Sequence, residues 1–187
     1  MCQPDRTSAF SLLELLVVIS IMALLIGILA PALKMFRQQA IKTACSSNLR
    51  QIGIATEVYR MNFGERFPMA RYMPAPFITI FPHDPGLPLV LNQQMPSVSK
   101  VYRCPGDDGY VYGRAGISYT YNASLAGRRL DETWFVRRLH FAASQVPVAY
   151  DCDGDSFELV AGTTLLVPPF HMLRNLLFGD GHVGNYQ

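Results

Sequence analysis

Four groups of side chains in this 187-residue sequence have types and spacing that chemistry uses. The first is Asp151-Cys152-Asp153-Gly154-Asp155, followed by Glu158. Alternating carboxylates in a loop converge hard oxygens on one cation, and calcium takes about 6–8 of them. Asp151, Asp153 and Asp155 are therefore the candidate metal ligands, with calcium the fitting ion. The EF-hand template is not met, because Gly154 stands fourth in the run and Glu158 arrives early. A solvated turn after a strand explains the same residues without an ion. The second group, His171, Asp180 and His182, offers two imidazoles and a carboxylate of the kind transition metals use. Asp180 and His182 flank a tight turn, which separates them from His171 unless the strands fold back in register; structural roles account for all three. Third are the cysteines at 2, 45, 104 and 152, among which no C-x-x-C pair argues for zinc. The fourth is a single residue, Glu14, at the head of an uncharged run from Leu15 to Leu33. No G-x-S-x-G, H-E-x-x-H or phosphate-cradling glycine loop is present, so nothing marks an enzyme.

The elements that must position these groups begin with that apolar run. Its 19 residues span about 28 Å as a helix, close to the ~30 Å hydrocarbon core of a bilayer. An ionised carboxylate in that setting costs about 2.5–3.5 kcal/mol on the lenient scales, so Glu14 calls for a partner and a purpose. A core helix of a soluble protein is rarely apolar on every face. A plain membrane anchor leaves Glu14 without a role. A secretory signal peptide is the serious rival, since Ala30-Pro31-Ala32 offers a small-x-small cleavage site; against it stand the length of the run and the intrusion of Glu14. Lys34, Arg37 and Lys42 follow the span while Arg6 alone precedes it, offset by Asp5. The positive-inside rule, taken alone, would leave the bulk of the chain in the cytoplasm.

Past Pro31, which should kink or loosen the helix, the pattern turns amphipathic. At 100° per residue, Ile41, Cys45, Asn48, Leu49, Ile52, Ala55 and Tyr59 share a sector of about 120°, with Lys42, Arg50, Glu57 and Arg60 outside it. Asn62 and Gly64 supply a stop. Eight of the 13 prolines fall between Phe67 and Pro105, a turn-rich stretch with one strand-like run, Phe77–Phe81. Strands are expected at Ile117–Tyr121 and at Val146–Tyr150, where Pro147 implies an edge or a strand start. Asn175–Phe178 and His182–Asn185 flank Gly179-Asp180-Gly181, the strongest hairpin signal in the chain. The fold class is therefore α+β, a long N-terminal helix with a small antiparallel sheet packed on its C-terminal half. Net charge is +2 with basic residues scattered, so no nucleic-acid partner is expected.

Ala9-Phe10-Ser11-Leu12-Leu13-Glu14 and the apolar run behind it resemble the N-terminus of type IV prepilins and type II secretion pseudopilins. The resemblance implies cleavage between Ala9 and Phe10 by a prepilin peptidase, methylation of the new Phe10 amine, and Glu14 as the assembly carboxylate that pairs with a neighbouring subunit's N-terminus. Ala9 stands where the family usually has Gly. The implied organisation is a leader at 1–9, a transmembrane and assembly helix at 10–33, its amphipathic continuation at 34–63 and a β-rich domain at 64–187. Against the charge bias, it places that domain outside the cytoplasm, on an inner-membrane protein that enters a periplasmic or cell-surface filament. Partners implied are the peptidase/methyltransferase, other pilin or pseudopilin subunits, the inner-membrane assembly platform and membrane lipid.

A narrower likeness follows from Cys45-Ser46-Ser47-Asn48-Leu49-Arg50-Gln51-Ile52, from Cys104-Pro105, and from His171 with Asn175–Val183. These look like a prepilin-like group whose mark is a closing His-x9-Asp-Gly hairpin (H-X9-DG); here eight residues separate His171 from Asp180. Outside the cytoplasm, one disulfide among Cys45, Cys104 and Cys152 is the simplest arrangement. Cys45 lies on the helix stripe, Cys104 ends an expected strand beside a Pro-Gly turn, and these two are shared with the group, so Cys45–Cys104 is the favoured pair. The expected function is a structural filament subunit with no cofactor. The alternative is a membrane-anchored or secreted metal-binding or enzymatic domain using the 151–158 loop.

Overall fold

The computed structural model describes residues 11–71, 85–97, 99–152, 154, 156–158, 164–171 and 173–185. The strand-like run at Phe77–Phe81 lies outside them. The chain divides into two compact units, Met1–Gln39 and Ala40–Gln187. Helix α1 (Leu12–Asn62) contributes to each.

In the first unit α1 is apolar and bare. Leu12, Leu16, Ile21, Leu25, Ile28 and Leu33 are all exposed, and an 18-residue window reaches a mean hydropathy of 2.9. This is the one helix among the described residues long and apolar enough to cross a membrane. Pro31 stands inside the helix, so the Gly27 carbonyl one turn earlier loses its usual N–H donor.

In the second unit the same helix buries a face made of Cys45, Leu49, Ile52, Gly53, Ala55 and Thr56. Most of the amphipathic sector is there, and its polar member is accounted for: Asn48 Nδ2 donates to the Arg103 carbonyl at 3.0 Å and to the Tyr119 hydroxyl at 3.1 Å. Gly53 is a close-approach position. A Cβ there would stand 2.7 Å from Leu177 Cδ1, so glycine lets that buried side chain seat as it does, and any larger residue would make Leu177 shift. Arg60 closes α1, pairing with Glu57 and Glu65 over the ring of Phe67.

The face is covered by a four-stranded antiparallel sheet in the order β1-β2-β5-β6. Its strands are β1 (Tyr119–Tyr121), β2 (Pro147–Asp151), β5 (Leu176–Phe178) and β6 (Val183–Gly184). Pro147 begins β2, which is an interior strand and not an edge. Register shifts between Pro147 and Ala149, and such an irregularity accommodates a residue that cannot donate to the ladder. The hairpin expected around Gly179-Asp180-Gly181 forms, with Leu177 opposite Val183. A separate two-stranded sheet, β3 (Ser156–Glu158) with β4 (Thr164–Leu166), leaves between β2 and β5.

Tyr102, Tyr119 and Tyr121 head the core, with Phe67, Leu49, Ile52, Leu87, Leu91, Ile117, Leu125 and Leu177. Tyr121 donates its hydroxyl to the Pro68 carbonyl at 2.9 Å, and burial pushes the Tyr102 phenol up to about 12. Short helices α2 (Leu87–Val90), α3 (Tyr110–Ala115) and α4 (Trp134–Leu139) fill the remainder. Too short to hold on propensity alone, they depend on local anchors. The buried carboxylate of Asp107 accepts from the backbone N–H groups of Gly109, Val111 and Tyr112 and from the Ser118 hydroxyl, organising the start of α3.

Candidate functional site

Two places gather the residues singled out by sequence. The first is the start of α1. Ala9 and Phe10 lie outside the described residues; Ser11 and Glu14 form the beginning of the helix. Glu14 Oε2 accepts from the Ser11 backbone N–H at 3.0 Å, and Ser11 Oγ accepts from the Leu13 N–H at 3.3 Å. These two bonds satisfy donors a helix start leaves orphaned and set negative charge against the positive end of the helix dipole. The carboxylate thus turns back toward the residue next to Phe10.

The second place is buried in the second unit. Cys45 on α1 and Cys104 are joined as a disulfide across 59 residues with Cα atoms 5.2 Å apart, and both are fully buried. Cys104 follows a 3-10 turn (Lys100–Tyr102) instead of ending a strand, a turn held by the Ser99 oxygen accepting from the Val101 N–H. The Gly106 N–H donates to Cys104 Sγ at 3.3 Å. A Cβ on Gly106 would stand 2.9 Å from Phe170 Cβ and 3.0 Å from Ile41 Cγ2, so glycine permits the chain to pass here. His171 Nε2 stands 3.5 Å from Cys104 Sγ, and His171 Nδ1 stands 3.4 Å from Asp151 Oδ2. The side chains of both His171 and Asp151 are fully buried. Asp151 Oδ2 in turn accepts from the Asn175 N–H at 2.9 Å and Nδ2 at 2.8 Å. One oxygen therefore fixes β2 to the approach of β5 and orients the imidazole.

Of the three acids proposed as ligands in the 151–158 run, only Asp151 is among the described residues. Asp151 closes β2 and faces inward, Ser156–Glu158 is a strand, and Asp153 and Asp155 lie outside the described residues. Period-two alternation over Pro147–Asp151 is the signal that places Asp151 on the same face as Ala149. With that carboxylate held by Asn175 and His171, calcium is expected to leave the melting temperature of the full chain in detergent unchanged. A clear upward shift with calcium, lost in Asp153→Asn, would instead make the acidic run a cation site.

His171, Asp180 and His182 are divided as well. His171 belongs to the disulfide cluster, whereas Asp180 and His182 pair across the exposed hairpin turn, with the His182 ring stacked on Phe178 at 4.4 Å. Partial desolvation raises the Asp180 carboxyl, but hydrogen bonds from the His182 ring and backbone N–H outweigh it and hold the group below its usual range. Sequence reasoning did not connect His171 with Cys104, which lies 67 positions away. The remaining cysteine, Cys152, is a buried thiol 3.1 Å from the Thr120 hydroxyl.

Residues 5–30 match the family model of the prokaryotic N-terminal methylation motif. The match supports a type IV pilin-like protein with a prepilin-type N-terminal methylation motif. A motif of this type implies, in general, a prepilin peptidase and other pilin subunits as partners, and points to a structural subunit, not an enzyme. The single long apolar helix is consistent with membrane anchoring of this pilin-like chain. No curated protein and no solved structure matches the chain.

Proposed function

We propose that the chain is a structural subunit of a type IV pilus-like or type II secretion pseudopilus filament, cut before Phe10 and assembled through α1. The observation that carries this reading is the methylation motif at residues 5–30 together with Glu14, the carboxylate at the head of a helix otherwise bare of charge up to Lys34. Before assembly the apolar unit resides in the inner membrane with residues 40–187 on the extracytoplasmic side, where oxidising conditions favour the Cys45–Cys104 bond. In the filament the same apolar surface packs against copies of itself or related subunits. Cys45–Ile52, Cys104-Pro105 and the Gly179-Asp180-Gly181 hairpin support a place in the H-X9-DG group of prepilin-like proteins, from whose spacing His171 departs by one residue.

The decisive experiment is mass spectrometry of the mature N-terminus from native membranes. The expected terminus is N-methylated Phe10. A chain beginning at Leu33 would replace this reading with a secretory signal peptide, and an intact Met1 would reduce α1 to an unprocessed anchor.

A further inference from the structure

We propose that the reduced protein holds a zinc-type metal ion between the Cys45 and Cys104 thiolates and the Nε2 nitrogen of His171, with Asp151 orienting the imidazole, so that disulfide and metal are alternative occupants of one place. This goes beyond the filament reading and does not depend on it. One ligand atom from each of Cys45, Cys104, Asp151 and His171 lies within 4.8 Å of all the others. Tetrahedral zinc, with bonds of about 2.3 Å to sulfur and 2.0 Å to nitrogen, places its ligand atoms roughly 3.4–3.8 Å apart. The 3.5 Å between His171 Nε2 and Cys104 Sγ already meets that spacing, and after reduction the two sulfurs need only separate to reach it.

The orientation of the imidazole is the second observation. Asp151 Oδ2 already accepts twice from Asn175, so the tautomer that suits it carries the imidazole proton on Nδ1. In that tautomer the Nε2 lone pair faces Cys104 Sγ, 3.5 Å away. Metal-bound histidines are held in this way, with the far ring nitrogen donating to a carboxylate. A dication bound by two thiolates would be stabilised by the imidazole directly and by the Asp151 carboxylate through it. Two thiolates with one imidazole suit zinc over calcium or magnesium, which prefer oxygen. Three protein ligands leave a fourth position open.

The electron and proton balance is simple. A dithiol reductant passes two electrons and two protons to the S–S bond, yielding two thiols and its own disulfide; the incoming dication then displaces both thiol protons, and the imidazole binds without proton loss. The ions compete with oxidation, so the bound state belongs to conditions in which the chain meets metal before or instead of an oxidant.

The test uses the full chain in detergent, reduced anaerobically with a phosphine and titrated with cobalt(II), then zinc. The expected result is one equivalent of cobalt, a thiolate-to-cobalt charge-transfer band with intense tetrahedral visible bands, and displacement by zinc. The oxidised chain should show none of these. Cys104→Ser should abolish the charge-transfer signature, Asp151→Asn should weaken binding about 10–100-fold, and Cys152→Ser should leave it intact. If reduction alone unfolds the domain, zinc must restore a cooperative melting transition in the wild type and fail to do so in His171→Ala. Absence of stoichiometric binding to the reduced chain overturns the proposal, as does binding that survives His171→Ala or requires Cys152.

Discussion

Glu14→Ala is expected to reach the membrane at wild-type levels or better and yet to be absent from filaments. Both halves follow from where the carboxylate stands. Its neighbours Leu13, Leu15 and Leu16 are exposed apolar side chains, so the substitution removes a charge whose transfer into hydrocarbon costs about 2.5–3.5 kcal/mol. Loss of the capping hydrogen bond to Ser11 weakens the helix start by only about 1 kcal/mol, far too little to prevent insertion. Assembly is different. In the proposed filament, the mature amine and a neighbour's carboxylate would neutralise one another in a low-dielectric core, and an uncompensated charge left there would cost about 3–5 kcal/mol at every subunit. Repeated along a polymer, that penalty is prohibitive. The readout is the ratio of subunit in sheared filaments to subunit in membranes; equal ratios for variant and wild type would sink the assembly role of Glu14. Glu14→Gln, which keeps shape and hydrogen bonding but not charge, is expected to fail in the same way.

The second large effect concerns the link between Cys45 and Cys104. Replacing both by Ala is expected to destabilise residues 40–187 by about 4 kcal/mol, because closing the 59-residue separation removes that much chain entropy from the unfolded state. For a domain of this size the loss corresponds to a fall of roughly 8–16 °C in melting temperature. Both sulfurs are fully buried, so the double substitution also leaves small voids, which add to the loss. Cys152→Ala provides the comparison: it removes a buried thiol without opening a loop and should cost visibly less. A double variant melting within a degree or two of wild type would show that the unfolded chain gains little freedom when the link is absent.

Much of this architecture is written in local pattern. The apolar run and the 3.6-residue stripe from Ile41 to Tyr59 are strong periodic signals, and they resolve into one helix, Leu12–Asn62. Turn chemistry at Gly179-Asp180-Gly181 was enough to place the β5–β6 hairpin. What local pattern does not carry is any feature whose cause lies far along the chain. Gly53 is buried against Leu177, and Thr56 joins the same face, though neither is an apolar side chain that periodicity would select. Asp107 is buried and held by four donors, three of them backbone N–H groups, which no local pattern announces. The helices α2, α3 and α4 are each four to six residues, below the length at which propensity decides. His171 is the clearest case: it reads as part of a C-terminal metal set with Asp180 and His182, and folding brings it instead to Asp151 and Cys104.

The route of the chain between β2 and β5 divides the labour of the domain. Tyr150 pairs with Leu176, so these neighbouring strands close over everything between them as if it were a single loop. Among the described residues of that stretch, β3 and β4 pair with each other, Ser156 against Leu166, and add no rung to the main ladder. Changes of length between β3 and β4 are therefore expected to leave the register of the four-stranded sheet untouched. The domain is in this sense a frame carrying a graft, which can vary without renegotiating how the frame folds.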